Sequence, residues 1–514
     1  MWVPKYVALL AFLLVSLRSG IQDTQAQKPR RAAPAIPKTW DDEAIATLEV
    51  PLANPIGSPK HVSADYYYRI PVRPIYKSYP VYAPGHEPQG YLDWLKQQES
   101  EVVWDDSGHQ PQVKTEADWI RAGEIVFDAP IGYGGLAGGE PSDLYVRETQ
   151  FVRETGTPVA RDGTLPFFRY VVEKKGEVRI GILSCGMCHT RVMPDGSILK
   201  GAQGSVPFDR VFAHHWIHSH PKLDEARALE RSLFAAPWIR SEPLPALDRQ
   251  SVEEIARIHV AIPPGVVARH RSSSLFPPQV PDLIGVKDRK YLDRTGLQQQ
   301  RSIVDLMRYA ALNQGADDLA SFDGFIPADF PDFKKLPSPE TQTRYSDEQL
   351  YALGLYIYSL QPPPNPHKFD ALAQRGQKIF QSENCVICHT PPLYTNNKLT
   401  PAEGFTVPED HLQKYDILPI SVGTDPNLTL KTRRGTGYYK VPSLKGVWYR
   451  SMFGHSGWCA TLEDWFDPRR TRDDYVPTGF KPYGAKTYAV KGHPFGLTLS
   501  EDDRKALIAF LKTL

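Results

Sequence analysis

Two cysteines three residues apart, followed at once by histidine, occur twice in this chain: Cys185-Gly186-Met187-Cys188-His189 and Cys385-Val386-Ile387-Cys388-His389. No other feature constrains the fold as much. Thiols at this spacing can add to the two vinyl groups of one haem, and the adjacent imidazole then reaches the iron from the same side. Zinc would need four converging ligands, and the two pairs lie far apart in the sequence. A thiol–disulfide exchange motif would sit in a βαβ setting, which the flanking sequence lacks. The pattern predicts two covalently bound haem c groups. Cys185, Cys188, Cys385 and Cys388 attach them, with His189 and His389 as axial ligands. Cys459, the one remaining cysteine, stands beside Trp458 and reads as a buried thiol, so no disulfide is expected.

The N-terminus reads as an export signal. Lys5 precedes an apolar run, Val7 to Leu17, that is too short to span a bilayer as a helix. The expected leader is 1–26, with cleavage after Ala26 and a periplasmic or secreted mature protein that lacks a membrane span. Lys and Arg total 60 against 59 Asp and Glu. That balance argues against nucleic acid or an anionic membrane as partner.

The chain contains a duplication. Ala122-Gly123-Glu124-Ile125-Val126-Phe127 resembles Arg375-Gly376-Gln377-Lys378-Ile379-Phe380, with Gly and Phe four residues apart on a predicted helix. Glycine at that spacing lets another helix approach closely while Phe packs beside it. The segments 346–360 and 500–514 also align. Each has a Ser N-cap, acids in the first turn and apolar residues at helical spacing. The predicted fold is mainly α: two cytochrome c-like helical domains, each around one haem, with long ordered loops. The boundaries are 117–361 for the first domain and 368–514 for the second, joined by a Pro-rich linker at 362–367. The first domain carries an insertion after Phe127. It includes the Gly-rich stretch 131–140 and a β-hairpin formed by Val171–Glu173 and Glu177–Leu183. The Tyr- and Pro-rich extension 27–116 is expected to wrap the first domain as ordered loop with little regular structure.

The sixth ligands decide what the irons can do. An iron with two protein ligands mainly carries electrons, whereas an open face can bind dioxygen or peroxide. No Met follows Met452, so the candidates at the second haem are His455, in Gly454-His455-Ser456-Gly457, and His493, in Lys491-Gly492-His493-Pro494. Near the first motif the run 213–220 supplies His214, His215, His218 and His220. His214 and His218 share a helix face. They read equally as a polar surface helix, a sixth ligand, a proton relay or a second metal site.

Tyr438-Tyr439-Lys440-Val441-Pro442-Ser443-Leu444-Lys445, then Phe453-Gly454-His455-Ser456-Gly457 and Ala460-Thr461-Leu462-Glu463-Asp464, resemble the C-terminal signature of the bacterial di-haem cytochrome c peroxidase and MauG-like superfamily. With the two motifs and the closing helix, the resemblance covers about 117–514. In the peroxidases a Met after the His-x-Gly loop ligates the C-terminal haem. This chain has no Met there, and His493 stands where a replacement ligand could. A bis-His second haem, a long first unit and export together resemble the rubber oxygenases of this superfamily, as does Tyr68-Arg69-Ile70-Pro71-Val72-Arg73-Pro74. That resemblance implies dioxygen bound at haem 1, on His189, and cleavage of a hydrophobic, polyisoprene-like polyene. It implies haem 2, on His389 and His493, handling electrons, with His455 beside that haem rather than on its iron. It also implies a calcium ion between the domains, although no acidic loop here identifies one.

Three readings follow. The first is an oxygenase whose haem 1 pocket is lined in part from 303–325, by Leu306, Met307, Leu312, Phe322 and Phe325. An ordinary buried helix accounts for the same pattern. The second is a peroxidase reducing hydrogen peroxide with electrons from a small donor protein. The third is a non-catalytic electron carrier with both irons closed.

Overall fold

Where the sequence places a glycine four residues before a phenylalanine, a second helix lies against it in both copies of the repeat. The computed structural model describes residues 35–133, 145–219, 221–239, 249–269, 271–314, 319–327 and 338–514. In the first copy, helix α1 (Glu116–Asp128) crosses α2 (Asp347–Ser359). In the second, α3 (Ala371–Ser382) crosses α4 (Glu501–Lys512). A Cβ on Gly123 would stand 2.0 Å from the carbonyl oxygen of Ala352, and one on Gly376 would stand 1.9 Å from that of Ala506. Phe127 packs on Tyr356 with ring centroids 5.1 Å apart, and Phe380 on Phe510 at 5.3 Å. Counted from the capping residues Ser346 and Ser500, Ala352 matches Ala506 and Tyr356 matches Phe510. The two crossings thus share one register. Replacing Gly376 with alanine drives a methyl group into backbone and is expected to cost about 1–3 kcal/mol, read as a lower urea midpoint at unchanged slope.

The predicted hairpin is the centre of something larger. Strands β2 (Thr164–Lys174) and β3 (Glu177–Ile182) pair antiparallel. Strand β1 (Ser78–Tyr82) joins the outer side of β2, and the short strand Gly132–Tyr133 joins that of β3, giving a four-stranded sheet. β1 alternates in burial, with Tyr79 and Val81 inward. Pro80 is tolerated because β1 is an edge strand, where a missing N–H costs no ladder bond.

β1 corrects the expectation of little regular structure in the extension. Between residues 42 and 104 the chain forms three short helices and several strands. Strand Pro59–His61 pairs with Ala320–Phe322, far along the sequence. Such pairings are set by distant partners, which local composition does not reveal. The extension does wrap the first copy of the repeat: Thr39 N–H donates to Asp347 at 3.0 Å, and Trp40, Leu48 and Tyr67 enter the core containing α1 and α2. Helices predominate, but with one four-stranded and five two-stranded sheets among the described residues the mainly-α expectation understates the strands. The stretch 361–370 has no regular structure.

Residues 1–34, which include the expected leader, lie outside the described residues, as does most of the Gly-rich stretch. Among the described residues no helix is long and apolar enough to cross a membrane.

Candidate cofactor sites

Both Cys-x-x-Cys-His motifs fold into one tight helical turn. The His189 N–H donates to the Cys185 carbonyl at 2.9 Å, and the His389 N–H to that of Cys385 at 2.8 Å. None of the five cysteines is in a disulfide, and Cys459 is fully buried as expected. Gly204 backs the first motif: a Cβ there would stand 1.9 Å from the Cys188 carbonyl oxygen.

The two motif histidines are prepared alike. His189 Nδ1 lies 3.0 Å from the Pro281 carbonyl oxygen, and His389 Nδ1 lies 3.2 Å from that of Tyr394. A carbonyl only accepts, so each Nδ1 carries the hydrogen and each Nε2 keeps a free lone pair. This is how a metal-ligating imidazole is oriented. Burial lowers both pKa values to about 4, so both rings are neutral near pH 7.

His389 opens onto a mostly apolar cavity of about 230 Å³ that also touches Cys385, Cys388, Trp458, His455 and His493. His493 faces His389 with ring centroids 6.3 Å apart. Two imidazoles on one metal, each with a metal–nitrogen bond of about 2.0 Å, hold their ring centres roughly 6 Å apart. The separation suits one shared metal atom and is too long for a hydrogen bond between the rings.

His493 is held there against backbone preference. Its φ is +46°, a region that costs non-glycine residues energy unless the surroundings enforce it. The enforcement comes from Arg470, which is fully buried and donates to the carbonyls of Trp465, Val490, Gly492 and His493, the last at 2.7 Å. The His493 N–H donates to Val422 at 2.6 Å. His493 Nδ1 is buried without a hydrogen-bond partner among the described residues.

His455 lies on the same cavity wall, stacked on Tyr439 at 4.1 Å. The Tyr439 hydroxyl donates to the Asp425 carbonyl at 2.7 Å, so its contact with His455 Nε2 at 3.1 Å has the imidazole as donor. The remaining lone pair of His455 is on Nδ1, which is buried without a partner among the described residues.

A collar of half-buried cations, not foreseen from the sequence, edges this cavity. Arg294, Lys440 and Arg450 line it, and Arg289 adjoins them. Asp282 pairs with Arg450 at 2.9 Å. Burial, reinforced by Arg289, Arg294 and Arg450, pushes the Lys440 pKa well below its ordinary value. Four cations around one carboxylate call for further negative charge. The two propionates of a haem are of that kind, so thiols, lone pairs, apolar walls and cations all fit the group.

The two motif sites share a stretch of chain. Pro281 accepts from His189, and its neighbour Asp282 binds Arg450 and the Tyr449 hydroxyl, the latter at 2.9 Å. Gln279 N–H donates to the His455 carbonyl at 2.7 Å.

Cys185 packs against the same core as three of the expected lining residues of the first site. Leu306, Met307 and Leu312 are buried in the core that contains α2, and Phe322 lies in a strand with the Arg271 and Arg433 guanidinium groups over its ring. His214 and His218 stand against Glu154, and His220 lies outside the described residues. Among the described residues no other cluster of His, Cys, Asp or Glu gathers ligand atoms, so the calcium expectation finds no carboxylate site.

No protein-family model and no curated protein matches the chain. Among solved structures, hydrazine synthase of Kuenenia stuttgartiensis is 14% identical, with a TM-score of 0.30, over 57% of this chain and 88% of that one. A MauG-like protein associated with microbial copper homeostasis is 18% identical, with a TM-score of 0.27, over 46% of this chain and 73% of that one. Likenesses this slight carry no argument about the present chain.

Proposed function

We propose that this chain is an exported di-haem c-type oxidoreductase, with haem 1 on Cys185, Cys188 and His189 and haem 2 on Cys385, Cys388 and His389. The observation that carries the reading is His493 facing His389 across an apolar cavity at 6.3 Å, with the attachment thiols beside it. His493, with His389, would hold the iron of haem 2. When bound, haem supplies one-electron redox chemistry and, at an iron with a free face, a place for dioxygen or peroxide. The chain's own residues do the rest. The Pro281 and Tyr394 carbonyls hold the ligand tautomers, and Arg470 fixes the loop bearing His493. Trp458, Trp465 and Phe380 exclude water, and Arg294, Lys440 and Arg450 would hold the propionates. His455 stays on the wall, bonded to Tyr439.

The finer reading is an oxygenase: haem 1 would supply dioxygen activation and haem 2 electron transfer, with a hydrophobic polyene resembling polyisoprene as the substrate. Its support is the likeness of the N-terminal extension and His493 to the rubber oxygenase pattern. The test is oxygen uptake by the purified di-haem protein given polyisoprene latex and no reductant. Uptake with carbonyl-ended fragments is expected. No uptake with a high-spin haem 1 would move the assignment to peroxide reduction, and two low-spin haems would move it to electron transfer.

Lys440→Met tests the collar. Removing a cation beside a haem disfavours the added electron, so one midpoint potential is expected to fall by tens of mV while the other holds. Two unchanged potentials would place the propionates elsewhere.

A further inference from the structure

Helix α5 (Phe208–Ser219) carries His214 and His218 four residues apart, one turn of the same face. Glu154 reaches them from the helix Thr149–Thr155, which packs on α5. One ligand atom from each of the three side chains falls within 4.8 Å of the other two. We propose that Glu154, His214 and His218 bind one divalent first-row transition ion of the Zn(II) or Cu(II) class, with water completing the shell.

The donor set has the chemistry of such a site. Two imidazoles and one carboxylate, with an open fourth position, suit an ion of borderline hardness. The local bonds orient the donors as well as supplying them. His218 Nδ1 donates to the His214 carbonyl at 2.8 Å, so its Nε2 keeps the lone pair. Gln150 donates to Glu154 Oε1 at 2.8 Å, while Glu154 Oε2 faces His214 Nδ1 at 3.0 Å. The two imidazole rings lie against each other at 4.2 Å between centroids, a contact that protonating both would make repulsive. Burial, then the neighbouring His218, lowers the pKa of His214. The Gln150 bond is the main cause holding Glu154 below its ordinary value. Glu154 and His218 are exposed, so an ion reaches the site from solvent, and binding would tie the two helices together.

The alternative is a stacked histidine pair with a surface ion pair and no metal. Metal analysis separates the two. The full holoprotein, carrying both haems and no histidine tag, is dialysed against Zn(II) and its zinc measured relative to iron. One equivalent of zinc is expected in the wild type. His218→Ala and Glu154→Gln, both at exposed positions, should each bind more than about tenfold more weakly. With Cu(II), the electron paramagnetic resonance spectrum should show nitrogen hyperfine splitting from two imidazoles in the wild type and from one in His218→Ala. No retained zinc in the wild type, or equal zinc in wild type and both variants, overturns the proposal. The haem absorption spectrum, unchanged in all three proteins, shows that the fold is intact.

Discussion

Alanine at His493 abolishes the low-spin signal of haem 2 and leaves that of haem 1 as it was. The expectation rests on three facts about one loop. His493 faces His389 at the separation of two ligands on one metal. Arg470 and the Val422 carbonyl hold the residue at positive φ, so the loop presents its side chain rather than sampling positions. His455, the one other histidine on the cavity wall, has its Nε2 spent on Tyr439 and its ring stacked there. His455→Ala is therefore expected to retain the low-spin signal, which separates the two histidines directly. Arg470→Met tests positioning. With the clamp gone but His493 present, haem 2 should become a mixture of low-spin and high-spin forms, shifting toward low-spin on cooling. Electron paramagnetic resonance of the oxidised protein reads all three variants. A His493→Ala protein with an unchanged low-spin spectrum for haem 2 would sink the ligand assignment.

What the sequence made legible is what is local in the chain. The two capped helices could be aligned on Ser346 and Ser500, and the glycines marked a close helix approach, because a helix crossing depends on one glycine and its i+4 neighbour; that the capped helices are the partners came from the fold. His493 could be singled out because few histidines follow the second motif. The cation collar could not. Arg289 and Arg294 come from one stretch, Lys440 and Arg450 from another, and only the fold brings them to one cavity. Arg470 was invisible for the same reason: its role is to satisfy carbonyls of a loop some twenty residues onward. The shortest strands of the extension were missed because a two- or three-residue strand such as Pro59–His61 has no periodicity to read, and its partner lies beyond residue 319. The buried triad of Asp209, Glu230 and His259 was missed too, since its members share no spacing.

His259→Ala is expected to be the most destabilising single change outside the haem sites. The ring lies between two carboxylates, with Nδ1 donating to Asp209 at 2.7 Å and Nε2 to Glu230 at 2.9 Å. All three side chains are almost wholly shielded from solvent. An imidazole that donates from both nitrogens is protonated. Burial alone would lower its pKa, but Glu230 and Asp209 outweigh burial and raise it to about 10. Removing the ring leaves two buried carboxylates facing each other without their shared cation, a loss of about 3–5 kcal/mol. Adding Asp209→Asn and Glu230→Gln to His259→Leu removes every charge and should recover most of that loss. The pH dependence has a definite sign. The folded pKa stands above the ordinary 6.5, so the contribution is whole below pH 6.5 and drains away as pH rises toward about 10. Urea denaturation across that range should show the wild type steadily losing stability relative to the charge-free triple variant, in which none of the three groups titrates. A difference between the two that stays constant would mean that His259 is not charged in the folded protein.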